Sequence, residues 1–138
     1  MQNAQHFPFV EVRDRFGIID ALPQIPLQLT YRDRSITAVG LLDTGASVNV
    51  LPHKLGLELG LVWDEQTTSI KLGGNLAATE ARGLVMQAKI GEFQPVRFVF
   101  AWSRSDNVPL LLGRTNFFQE FDVCIYGAQK RLEIRPKL

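Results

Sequence analysis

Leu41-Leu42-Asp43-Thr44-Gly45-Ala46-Ser47 places a single acid at the end of an apolar run, followed by a small hydroxyl residue and a glycine. The residues from Ile36 to Leu42 read as a buried strand, and Gly45 lets the backbone turn sharply where that strand ends. An aspartate at this junction sits at the edge of a core, with a hydroxyl and exposed backbone N–H groups beside it. One such carboxylate is a poor catalyst. Two of them sharing a proton can activate water and polarise a carbonyl together, because adjacent like charges resist ionising at once. Asp43-Thr44-Gly45 occurs only once, so that chemistry needs a second copy of the chain. By itself the triplet also describes an aspartate at an ordinary strand-to-turn junction, where Asp and Gly are common.

A second stretch, Leu110-Leu111-Leu112-Gly113-Arg114-Thr115-Asn116-Phe117, adds weight. Three leucines before Gly-Arg read as a buried strand that ends where another backbone passes closely. Alone it describes a core strand feeding a short helix. Between the two lies Thr67 to Leu72, then Gly73-Gly74-Asn75, then Leu76 to Arg82. The glycines and Asn suit the positive φ angles of a hairpin tip. Alone that segment is a surface hairpin.

In this order and spacing, the elements resemble the single-domain aspartic peptidases of the retropepsin type. That family carries Asp-Thr/Ser-Gly-Ala after two apolar residues, then a glycine-bearing flap hairpin, then apolar-apolar-Gly-Arg opening a short C-terminal helix. The resemblance runs from Ile25 to Tyr126. It implies a mostly β fold: a closed, single-lobe β-barrel of the acid-protease type with a flap hairpin and one short C-terminal helix.

The same resemblance implies an aspartic endopeptidase acting as a homodimer on peptides or on unfolded and flexible proteins, with no cofactor and no metal. Asp43 would be the catalytic acid. Thr44 would lock the two active-site loops by hydrogen bonds between subunits, and Gly45 would offer its carbonyl to the substrate backbone. Ala46 and Ser47 complete the active-site loop. Gly73, Gly74 and Asn75 would form the flap tip, with Leu41, Val108, Pro109 and Leu111 as apolar cleft walls. Gly113 would let its strand cross behind the Asp loop, and Arg114 would brace the base. Ser47 departs from the viral members, which usually carry an acid there that pairs with the arginine. Arg114 therefore needs another partner, and the chain looks more like cellular and bacterial relatives. The rival reading within the same fold is a catalytically silent dimer that binds peptides or serves assembly.

The 138 residues suit one domain with a real core, expected over 9–138 behind a flexible segment at 1–8. Hydrophobic residues make up 46% and charged residues 21%, and the formal net charge is +1. That composition is ordinary for a globular protein and leaves no basic footprint for nucleic acid. Met1 to His6 are polar, with no apolar core of a signal peptide, and no apolar run is long enough to span a bilayer. Cys124 is the single cysteine. A lone cysteine cannot form an intramolecular disulfide, which favours a reducing, cytoplasmic setting. Its apolar neighbours predict a buried thiol.

Further strands are expected at Ile25 to Tyr31, Ser35 to Leu42, Val48 to Leu51, Gly83 to Ile90, Val96 to Ala101, Asp122 to Tyr126 and Leu132 to Arg135. Phe9 to Arg15 and Phe16 to Asp20 read as strands or arms. Pro52 to Gly60 suggests a short helix or turn, and Trp102 to Pro109 a polar loop. No second Asp-Thr-Gly half exists, which separates this chain from two-domain pepsin-like enzymes. His6 and His53 have no Cys or acid cluster at metal-ligand spacing, and His53 reads as a surface residue. A Gly-x-Ser-x-Gly motif is absent. Gly73-Gly74-Asn75 lacks the Lys and helix of a phosphate loop.

Overall fold

Alternation shapes the first long strand. Ile25, Leu27 and Leu29 are buried, while Pro26 and Gln28 between them are exposed. A strand with one face on a core requires this period of two. The computed structural model describes residues 3–138. Within them the chain begins with β1 (Gln5–Pro8) and a hairpin of β2 (Val10–Arg13) and β3 (Ile19–Leu22). Then come β4 (Gln24–Tyr31), β5 (Arg34–Leu42), β6 (Asn49–Leu51) and the helix α1 (His53–Glu58). After a long excursion follow β7 (Ala81–Lys89), β8 (Val96–Ser103) and the two-residue β9 (Leu111–Leu112). The helix α2 (Phe117–Glu120) leads into β10 (Phe121–Tyr126) and β11 (Arg131–Pro136).

Six strands close a barrel in the order β4-β5-β9-β6-β8-β7. Closure removes free sheet edges. The long antiparallel pairs are β4 with β5 and β7 with β8. β9 joins the two halves, parallel to β5 through Leu41–Leu111 and Leu42–Leu112, and antiparallel to β6 through Val50–Leu111. The main core is aromatic, with Phe98, Phe100, Trp102 and Phe117 fully buried and Phe121 nearly so. Phe117 and Phe121 face inward. Phe118 is only partly buried against the same core.

Four local expectations are corrected. The segment expected to be flexible as far as Pro8 contains β1, which pairs with β11 in the register Gln5–Ile134 and Phe7–Leu132. Its polar residues hid the fact that Phe7 packs on the core, and that Gln5 accepts the backbone N–H of Glu92 at 3.1 Å. Residues 1 and 2 of that segment lie outside the described residues. Cys124 is exposed. In β10 the inward positions are Phe121 and Val123, so the alternation turns Cys124 outward despite its apolar neighbours. His53 is half-buried rather than on the surface. Its ring stacks on Trp102 at 5.2 Å and 9°, and its carbonyl accepts the Trp102 indole N–H at 3.1 Å. Trp102 itself closes β8 inside the core rather than opening a polar loop. Gly56 of α1 lies flat on that indole, where any Cβ would collide with the ring.

β1, β11 and β10 form a separate sheet at the chain ends. On its outer face Glu133 lies between Cys124 and His6 in the cross-strand register. The Tyr126 hydroxyl donates to Glu133 Oε2 at 3.0 Å. That hydrogen bond, helped by the nearby Arg135 and His6 charges, holds the Glu133 carboxyl below its usual range and pushes the Tyr126 hydroxyl up. A carboxylate with a depressed folded pKa stabilises the fold fully above the unfolded value, and that contribution is lost as pH falls through the folded value. Glu133→Gln should therefore lower the melting temperature near neutral pH and have little effect in acid well below the carboxylate range. Thermal unfolding of both proteins across pH checks this; an equal loss at every pH would assign the effect to packing.

Candidate active site

The acid loop is built by the backbone. The Leu41 N–H donates to the Leu110 carbonyl at 2.8 Å, and the Asp43 N–H donates to the Leu112 carbonyl at 3.0 Å. This carries β5 alongside β9 up to the acid. The chain then turns: Ala46 N–H donates to the Asp43 carbonyl at 3.1 Å, and Gly45 N–H donates to Asp43 Oδ1 at 2.9 Å. Asp43 is half-buried, as its place at a core edge predicts, while Thr44, Gly45 and Ser47 are exposed.

The residues after β9 hold this loop from behind. Arg114 N–H donates to the Ala46 carbonyl at 2.9 Å and Thr115 N–H to the Ser47 carbonyl at 3.0 Å. Gly113 is buried between them. A Cβ there would lie 2.6 Å from the Val48 carbonyl oxygen and 2.7 Å from that of Ala46. Only glycine permits so close a passage without displacing backbone. The side chain of Arg114 answers the question that Ser47 raised. Its Nη1 donates to the Thr44 carbonyl at 2.7 Å, so the guanidinium braces the loop through a peptide oxygen.

One residue of this assembly escaped the sequence reading. Asn49 is fully buried; its Oδ1 accepts the Gly113 N–H at 2.8 Å, and its Nδ2 donates to the Val99 carbonyl at 3.2 Å. A single amide thus ties β6, β8 and the glycine crossing together. The available signal was a polar residue inside the run Val48-Asn49-Val50-Leu51, since a buried polar group must be paired.

Asp43 opens on a cavity of about 510 Å³. Leu41, Val50, Pro109 and Leu111 form apolar walls, Gly45, Ala46, Ser47 and Val48 the loop side, and Leu72, Gly73, Gly74, Asn75 and Leu76 the opposite side. Every expected cleft residue is at this cavity except Val108. That side chain is buried behind the wall, packed with Val50, Leu72, Ala81, Ala101 and Leu111.

The glycine-tipped segment is paired only at its base. Gly83 N–H donates to the Thr68 carbonyl at 2.8 Å, Ile70 N–H to the Ala81 carbonyl at 3.0 Å, and Ser69 pairs with Arg82. Beyond Ile70 the expected hairpin strands give way to a 3₁₀ turn at Gly74–Leu76. Only Gly74 has positive φ, at +57°, while Gly73 is extended at −102°. The apolar cluster explains the departure. Leu72 is buried in it and Leu76 packs against it, so the tip is drawn down onto the cleft wall instead of continuing as a ladder.

A family model described as Aspartyl protease matches residues 27–115. The chain belongs to the aspartyl protease family. The matched span begins in β4 and ends at Thr115, so it contains the Asp loop, the glycine-tipped segment and the crossing at Gly113. Among solved structures, the chain is similar to one described as a retropepsin-like aspartic protease from Rickettsia conorii. The two share 18% identity with a TM-score of 0.58, over 95% of this chain and 92% of that one. The fold of this aspartyl protease family member is therefore retropepsin-like. A search of curated protein sequences gave no match.

Gly113→Ala should cost stability by about 1–3 kcal/mol or more, because the new methyl meets two backbone carbonyls that belong to the acid loop. Asn49→Ala should cost about 1–3 kcal/mol by leaving the buried Gly113 N–H unpaired. Urea unfolding measures both, and wild-type midpoints would remove Asn49 and Gly113 from the framework of the site.

Proposed function

We propose that this chain is an aspartic endopeptidase whose working form is a homodimer, with Asp43 of each copy meeting on a two-fold axis. The observation that carries the reading is a single half-buried carboxylate on the wall of a peptide-sized cavity, held by a loop whose outer residues, Thr44 and Ser47, are exposed. A two-fold contact is isologous, so a surface that carries one acid meets its own copy. The pair would hold one proton and one water. The ionised Asp43 takes a proton from the water as its oxygen attacks the scissile carbonyl carbon. The protonated Asp43 of the other copy donates to the carbonyl oxygen. Collapse of the resulting diol breaks the C–N bond, and the amine leaves with a proton returned from the pair. No bond forms between enzyme and substrate.

The substrate is a peptide or a flexible segment of a protein, lying extended between the acid loops and the glycine-tipped segments. The Gly45 carbonyl and the backbone N–H groups of Gly73 and Gly74 are the partners for its main chain, as in an added strand. Leu41, Pro109, Leu111 and Leu76 favour apolar side chains next to the scissile bond. Thr44, exposed at the same end, is the residue that joins the two loops in this reading.

Asp43→Asn should reduce peptide hydrolysis by several orders of magnitude and leave the fold intact, because Asn nearly keeps the shape but takes no proton from water. Cleavage of a denatured protein mixture reads the activity, and circular dichroism reads the fold; hydrolysis near the wild-type rate would end the aspartic reading. The same assay should give a bell-shaped pH profile with an acidic optimum, since the pair must hold one proton. Chelators and thiol reagents should leave the rate unchanged.

A further inference from the structure

The hairpin β2–β3 is a small sheet of its own, hydrogen-bonded to no other strand among the described residues. None of its residues is buried. An isolated two-stranded hairpin is marginal in water, yet this one is carefully made. Asp14 Oδ1 accepts the backbone N–H groups of Phe16 at 2.8 Å and Ile18 at 2.9 Å. Gly17 takes φ +79°, and Arg13 Nη1 donates to its carbonyl at 3.0 Å. The ordered tip presents Phe16, Ile18 and Ile19 at 74%, 63% and 53% exposure. A pre-ordered loop that displays an aromatic and two branched apolar side chains loses little entropy on docking.

Its position tells what it docks on. Immediately after β3, the Pro23 carbonyl accepts the Leu42 N–H at 3.0 Å, and Gln24 pairs with Leu41. The hairpin therefore springs from the end of the barrel that carries Asp43. Resting on the homodimer reading above, that end faces the second copy. A stable interface buries roughly 800 Å² per partner, and the acid loop offers to such a contact the exposed Thr44, Gly45 and Ser47. We infer that the β2–β3 hairpin is a dimer arm: it reaches across from the root of the acid loop and packs Phe16, Ile18 and Ile19 on the second copy of this chain.

The triple variant Phe16→Ser, Ile18→Ser, Ile19→Ser, made in the full chain, tests the arm. The three side chains are exposed in the single chain, so its barrel should fold as before. Sedimentation equilibrium should show a dimer dissociation constant raised about tenfold or more, equivalent to about 1.4 kcal/mol. Activity per chain should fall at low concentration and recover as concentration rises. A wild-type dissociation constant within about twofold of the variant's would overturn the arm and leave the dimer standing. An active wild-type monomer would overturn the dimer reading and the arm with it. A second measurement covers misfolding of the variant. Phe16→Cys in a Cys124→Ser chain, labelled with a benzophenone maleimide, should photo-crosslink isotopically light to heavy copies in mixed dimers. Crosslinks confined within single chains would overturn the proposal.

Discussion

A stretch of backbone without a side chain passes behind the acid loop at Gly113, and the rest of the site hangs on that passage. Because no Cβ intervenes, the N–H groups of Arg114 and Thr115 come close enough to bond the carbonyls of Ala46 and Ser47. Asn49 fixes the depth of the crossing from the other side, with its amide held between Gly113 and Val99. The loop carrying Asp43 is thus positioned by peptide groups rather than by neighbouring charges. The Arg114 side chain follows the same logic, since its bond to the loop goes to the Thr44 carbonyl. A loop held this way does not depend on an ion pair for its shape.

The packing divides into two bodies. The larger one fills the barrel with aromatic side chains and is closed off by the terminal strands through Leu132 and Ile134. The smaller one, around Val50, Leu72, Ala81, Ala101, Val108 and Leu111, lies beneath the cavity. Leu72 belongs to the glycine-tipped segment and Leu111 to the strand beside the acid loop. One apolar cluster therefore couples the position of that segment to the floor of the cleft. Lifting the tip away from the cleft would expose Leu72, which biases the empty cavity toward a lowered tip.

Much of this was legible because it rests on period and on backbone chemistry. The alternation of Ile25 to Tyr31, the strand from Ser35 to Leu42 and the Leu-Leu-Leu-Gly-Arg run all read directly as strands, Gly113 read as a close passage of backbone, and the resemblance supplied the barrel. What escaped depended on contacts distant in sequence. Asn49 looks like any polar residue until Gly113 is seen to lack another partner. Phe7 shows no pattern in a short polar tail, and its order comes from β11 more than a hundred residues later. Cys124 and the glycine-tipped segment depart for different reasons: a thiol among apolar neighbours is turned outward by the pleat, and Leu72, at the end of an expected hairpin strand, is drawn into an apolar cluster that the hairpin's own sequence does not reveal. Arg114 was correctly seen to need a partner, but a peptide carbonyl leaves no trace in side-chain chemistry.

β9 contributes only Leu111 and Leu112, yet it alone joins β5 to β6 around the barrel. Until those residues dock, the earlier strands can form only an open sheet with two raw edges, and the loop at Asp43 has neither the Leu112 carbonyl nor the Arg114 and Thr115 amides to shape it. A chain emerging from its N-terminus has by then released every segment from β1 to β8, with β1 still waiting for its partner β11. Contacts of such long sequence separation are slow to form, and open edges invite pairing with other chains. The acid loop therefore takes shape among the last events of folding, and a chain cut short before residue 111 carries the aspartate without the geometry that gives it purpose.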